Sequence, residues 1–134
     1  MTKTDNRTVF ASIGRNTYSA TLSTGEHVLI ADEPAENGGK DEGPTPGDYM
    51  RMALASCTAI TLRMYADRKK FDVERIDVTV NSERTDYKTI FKCEIKITGN
   101  ITNEQRARME DIAHKCPVHN VLSHPIEIDT WIAH

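Results

Sequence analysis

Two cysteines set in different helix-forming contexts are the residues of this chain best suited to chemistry. Cys57 lies inside the uncharged run Met52-Ala-Leu-Ala-Ser-Cys-Thr-Ala-Ile-Thr-Leu62, and Cys116 closes a second helical pattern in His114-Lys-Cys-Pro-Val-His119. A helix thiol taken alone is most often an inert small hydrophobe. A pair brought together from distant parts of a chain can instead pass through sulfenate and disulfide states, which is peroxide-reducing chemistry. Both sulfurs fall on apolar stripes, so both point towards an interior where two helices could meet. A bridge would need Cα atoms roughly 4.4 to 6.8 Å apart.

The neighbours of those thiols decide how reactive they are. An active cysteine works as the thiolate, so a cation or a donor must stand near it. Arg51 and Arg63 share a helix with Cys57, each six positions away. At ~100° per residue they lie roughly 120° around the axis, which makes them poor partners. Arg15, in the turn after the first strand, is the better candidate because a tertiary contact can bring it in, although the sequence by itself favours reading it as a solvated turn residue. Asp48 could orient that arginine through a charge-assisted bond, or cap the helix it helps to open, and the two roles are compatible. Cys93 alternates with Phe91, Ile95 and Ile97 on a strand, and burial on the inward face explains it as packing. Cys116 and His119 also form a Cys-x-x-His pair, but a zinc site needs a fuller ligand set. His114, His124 and Cys57 would have to be recruited, so no metal is expected.

The elements that must position these residues follow from local pattern. Thr8–Ile13, Tyr18–Leu22 and His27–Ala31 are strand-length apolar or alternating runs, separated by Gly14-Arg-Asn16 and Ser23-Thr-Gly25, and they predict an antiparallel meander. The stretch from Asp32 to Gly47 is rich in Gly, Pro and charge and reads as a loop; its glycines match neither phosphate-cradling spacing. Thr45 and Pro46 form a cap and first helical position, with Asp48 three residues past the cap. The helix they open should run to about Lys69. It is apolar nearly all the way round and crowded with Ala53, Ala55, Ser56 and Ala59, so it is expected to be buried centrally. Alternation in Ile76–Val80 and Phe91–Ile97 predicts two long strands joined through a polar segment, Ser82–Lys88. Thr102 and Gln105 make a capping box for a second helix carrying Met109, Ile112, Ala113 and Cys116. A short turn from Pro117 to Leu122 and a last strand, Ile126–Ile132, complete an α+β chain with helices packed on antiparallel sheet.

At 134 residues the chain, 1–134, is expected to be a single domain with a real core. Hydrophobic residues make up 38% and charged residues 28%, which suits a globular protein, and the 6% aromatic content leaves the core to Ile, Val, Leu, Met and Ala. A net charge of -3 argues against a nucleic-acid footprint. No apolar run reaches the ~20 residues of a membrane span, and the polar opening Met1–Thr8 lacks a secretory segment. A cytoplasmic location is therefore expected, where an odd count of three cysteines rests as thiols and any bridge is transient.

With these residues laid out, the chain resembles the OsmC/Ohr family of peroxide-reducing proteins over nearly its whole length. The resemblance is strongest in Asp32-Glu-Pro through Gly43-Pro-Thr-Pro-Gly-Asp-Tyr to Ala-Ser-Cys-Thr-Ala-Ile-Thr-Leu-Arg-Met-Tyr-Ala66, and in Arg106 through Cys116-Pro-Val-His119. It is closer to the OsmC-like branch than to the organic hydroperoxide resistance branch. The resemblance implies an intertwined homodimer with sites at the subunit interface. It implies Cys57 as the peroxidatic cysteine, Cys116 as the resolving one and Arg15 as the thiolate-activating arginine. One departure stands out. The better-known branch bonds that arginine with a glutamate near the start of the long helix, whereas here the stretch is Pro46-Gly47-Asp48, and Asp48 reaches less far. The activity implied is thiol-dependent reduction of a small organic peroxide. An external dithiol would restore the thiols without a bound cofactor, and an apolar pocket including Met50, Leu54 and Met64 would take the substrate. The alternative is a non-catalytic module of the same fold that binds a small ligand or senses redox state.

Overall fold

The computed structural model of the chain describes residues 7–134. It is α+β: a three-stranded meander, a long helix, a two-stranded hairpin and two further helices. The chain divides after Met50 into two compact units.

In the first unit, β1 (Phe10–Ser12), β2 (Ala20–Thr24) and β3 (His27–Ala31) pair antiparallel in the order β1-β2-β3. The β2–β3 turn closes with Thr24 opposite His27, and Gly25 adopts a left-handed φ of 57°. That register carries β2 past the apolar run Tyr18–Leu22, while β1 keeps only the centre of its own, because pairing and not hydrophobicity sets strand ends. The loop that follows is organised around Asp32, which is 1% exposed. Its carboxylate accepts from the backbone N–H groups of Tyr18, Glu33, Lys40 and Glu42 at 2.7 to 3.3 Å. Burial pushes the Asp32 carboxyl up, but the four amides together outweigh it and hold it below its ordinary value of 3.8. The loop folds back so tightly that a Cβ on Gly39 would collide with the Glu33 carbonyl.

Helix α1 (Pro46–Lys69) begins where the Thr45-Pro46 pair predicts. Asp48 Oδ2 accepts from the Thr45 amide at 3.0 Å and Thr45 Oγ1 accepts from the Asp48 amide at 3.1 Å, a reciprocal cap. The helix ends in a Schellman motif, with Phe71 N–H donating to the Ala66 carbonyl at 2.9 Å and Lys70 N–H to Asp67 at 3.2 Å. Lys70 takes the left-handed position, φ 58°, usually given to glycine.

In the second unit, β4 (Asp72–Arg84) and β5 (Thr89–Asn100) form one antiparallel hairpin with Val80 opposite Cys93. The strands run further than the alternation predicts, leaving only residues 85–88 as the turn, where Thr85 Oγ1 accepts from the Tyr87 and Lys88 amides. Helix α2 (Asn103–Ala113) opens on the predicted capping box, with both Thr102–Gln105 bonds at 3.0 Å. Leu62, Tyr65, Ala66, Val73, Met109, Ile112 and Ala113 form the core, with Ile76, Ile95 and Ile97 of the hairpin packed on it. Met109, Ile112 and Ala113 of α2 thus share one core with Leu62, Tyr65 and Ala66 of α1.

Two expectations change at this level. Within the chain, α1 buries one stripe, Leu54, Thr58, Leu62, Tyr65 and Ala66, and leaves Met52, Ile60 and Met64 exposed, because the second unit covers one side only. The alternating segment 126–132 forms no strand: it finds no sheet partner among the described residues, and Ile128, Trp131 and Ile132 are exposed.

Candidate thiol site

Proline at 117 shapes the site. It suits the first position of helix α3 (Pro117–Leu122) and excludes helical geometry from the residue before it. Cys116 is therefore extended, φ -59° and ψ 132°, at the N-cap. Its amide donates to Ala113 O at 3.4 Å and its carbonyl accepts from Asn120 N–H at 3.0 Å, so both α2 and α3 hold it. The residue is fully buried.

Cys57, half-buried on α1, meets this N-cap. Its thiol lies close enough to the Cys116 side chain, to the Val118 amide in the first turn of α3 and to the Thr61 hydroxyl on its own helix for each to influence its ionisation. Burial pushes the Cys57 thiol above its ordinary value of 9.0 and the Cys116 side chain adds to the rise. The Val118 amide and the Thr61 hydroxyl favour the thiolate without offsetting those two influences. Neither donor is signalled by residue type: the amide is backbone, and Thr61 is one of two threonines in α1.

Cys93 does not sit buried in a core. Its side chain is on the inward face of β5, as alternation predicts, but that face opens into a cavity of about 640 Å³ and the residue is exposed. Leu54, Phe91, Ile95 and Leu122 give the cavity apolar walls, and Thr58, Glu110, His114 and His119 give it polar ones. The rings of His114 and His119 meet edge-on at 5.5 Å. Desolvation pushes the Cys93 thiol up, the neighbouring Thr58 hydroxyl pulls it back, and proximity to Cys116 raises it further.

The remaining sequence candidates are placed as follows. Arg15 is exposed in the bend between β1 and β2 of the first unit, and Asp48 is engaged in the α1 cap. Leu54 lines the cavity, whereas Met50 and Met64 are exposed, 46% and 67%, and are not among its lining residues. Among the described residues no group of three or more His, Cys, Asp or Glu is arranged to hold a metal ion.

The model of a family described as OsmC-like protein matches residues 39–130, which includes both Cys57 and Cys116. The chain belongs to the OsmC-like family. Solved structures share its fold. An OsmC-like protein from Mycoplasma pneumoniae superposes with a TM-score of 0.75 at 16% identity, covering 88% of this chain and 87% of its own. An organic hydroperoxide resistance protein from Elizabethkingia anophelis gives 0.69 at 20% identity, covering 95% and 94%. A Legionella pneumophila protein described as an organic hydroperoxide resistance protein OsmC gives 0.64 at 24% identity, covering 91% and 92%. No curated protein sequence matches this chain. Among the described residues no helix is long and apolar enough to cross a membrane.

Proposed function

We propose that this OsmC-like chain is a thiol-dependent peroxidase that reduces organic hydroperoxides to alcohols. The observation that carries the reading is the meeting of Cys57 with Cys116, two thiols remote in sequence, at the N-cap of α3. The Cys57 thiolate attacks one oxygen of ROOH, the O–O bond breaks, the alcohol leaves with a proton, and Cys57 becomes the sulfenate. The sulfenate takes a proton from solvent, the Cys116 thiol attacks that sulfur, water departs, and a Cys57–Cys116 disulfide remains. An external dithiol returns both thiols by exchange and is itself oxidised. No bound cofactor is needed.

Because burial holds the Cys57 thiol up, the reaction needs a cation beside it. We assign that role to Arg15, oriented by Asp48, in a homodimer. The exposed Met52, Ile60 and Met64 of α1 and the unpaired apolar segment ending in Trp131 and Ile132 support such a dimer, since a monomer rarely leaves so much apolar surface uncovered. The near-complete coverage of the matched folds supports treating 1–134 as one domain, and thiol resting states suit a cytoplasmic setting. The cavity favours a small organic peroxide and equally underlies the second reading, a binding module that holds an apolar ligand without turnover. Cumene hydroperoxide mixed with protein and dithiothreitol separates the two. The peroxidase consumes it and Cys57→Ser stops the consumption; equal, background-level loss with both proteins would refute the enzyme.

A further inference from the structure

The third cysteine shares the site. Thr89, Phe91, Cys93 and Ile95 all face the cavity from β5, and Thr58, the α1 residue next to Cys57, forms part of the same wall. Ala113 and His119 complete the opposite side, and Cys116 lies between them in the chain with its amide bonded to Ala113 O. Cys93 thus lines the cavity together with residues that neighbour both Cys57 and Cys116 in the chain. The electrostatic influence of Cys116 on the Cys93 thiol agrees with that placement.

Access falls off through the three sulfurs in a definite order. Cys93 is exposed to the cavity, Cys57 is half-buried and Cys116 is fully buried. In a Cys57–Cys116 bridge the Cys116 sulfur would be closed and the Cys57 sulfur only partly open to a reductant, which must approach along the S–S axis, whereas Cys93 is the most open of the three. Resting on the peroxidase reading above, we infer that Cys93 is a relay thiol that takes Cys116 over from Cys57 and carries the disulfide to the cavity. The Cys93 thiolate, its proton released to water in the cavity, attacks Cys116 Sγ. The Cys57–Cys116 bond breaks, its electron pair leaves on Cys57, and a Cys93–Cys116 bond forms with no net oxidation or reduction. The Val118 amide and Thr61 hydroxyl receive the departing Cys57 thiolate. The external dithiol then attacks Cys93 Sγ from the cavity, supplying the two electrons that return Cys93 and Cys116 to thiols.

Trypsin separates the three cysteines onto peptides 52–63, 93–96 and 116–134, so each bridge has its own linked mass. The protein is oxidised with one equivalent of cumene hydroperoxide, quenched with an alkylating agent and digested. The relay predicts both the 52–63/116–134 and the 93–96/116–134 pairs, the second appearing after the first. Cys93→Ser should retain the first pair and slow its reduction by dithiothreitol about tenfold relative to its formation. Cys57→Ser treated with diamide should still join 93–96 to 116–134, a proximity test independent of peroxide chemistry. If the first pair forms without the second, or diamide leaves Cys93 and Cys116 unlinked, the relay is overturned while the peroxidase stands. If peroxide yields neither pair, both are overturned.

Discussion

Replacing Arg15 with glutamine tests what activates Cys57. In the chain as it stands, burial and the Cys116 side chain keep this thiol above 9.0. At pH 7 fewer than about one molecule in a hundred would then carry the thiolate, since each unit between pH and pKa is tenfold. A guanidinium within a few ångströms commonly moves a neighbouring acid by about 1 to 3 units in favour of its charged form. If Arg15 provides that contact, the thiolate population at neutrality rises by roughly tenfold to a thousandfold. Arg15→Gln removes the charge and keeps a polar side chain of similar length. The assay is alkylation of the reduced protein by iodoacetamide between pH 5 and 10, with peptide 52–63 quantified by mass. The wild-type rate should level off below 9.0. The Arg15→Gln rate should climb about tenfold per pH unit through that range and lie at least tenfold below wild type at pH 7. Superimposed profiles for the two proteins would refute the role assigned to Arg15.

Other consequences can be measured as stability. Met109 of α2 is fully buried in the core, so Met109→Ala should lower the unfolding free energy by about 2 to 5 kcal/mol in urea titrations; a loss under about 1 kcal/mol would contradict the core as described. Lys70 occupies a left-handed helix cap, so Lys70→Gly should raise stability by about 1 kcal/mol, and a destabilised variant would count against that cap. The four amides on Asp32 depress its folded-state pKa, so its charge contributes stability above the ordinary carboxylate value that fades as pH falls through the folded one. Asp32→Asn should therefore melt below wild type at pH 7, with the gap narrowing under pH 3.8. A gap that widens in acid would reverse the sign of this argument.

How much of this could be read beforehand depends on whether the cause is local. Thr45-Pro46 and Thr102 with Gln105 are caps whose donors and acceptors lie within one turn, so the starts of α1 and α2 were legible to the residue. Pro117 likewise marked α3, because a proline restricts the residue before it whatever the surroundings. Asp32 was visible only as part of a motif, since its donors come from Tyr18 to Glu42 and are all backbone. Lys70 gave no cap signal, as lysine is not the residue the left-handed position prefers. Residues 126–132 have sound strand alternation, yet a strand also needs a neighbour to accept its hydrogen bonds. Cys93 shows the limit most clearly. Period-two alternation told which way its side chain faces but not that this face borders a cavity near Cys116.

The central claim is that Cys57 and Cys116 exchange between two thiols and one disulfide when an organic peroxide arrives. Intact-mass measurement of the reduced protein after one equivalent of cumene hydroperoxide addresses it directly, with Cys116→Ser alongside. The wild type should lose about 2 Da and yield linked cysteines on digestion, while Cys116→Ser should gain about 16 Da, or about 32 Da with excess peroxide, on peptide 52–63. A wild-type protein that keeps its reduced mass, or that accumulates oxygen on Cys57 without forming a bridge, would contradict the account.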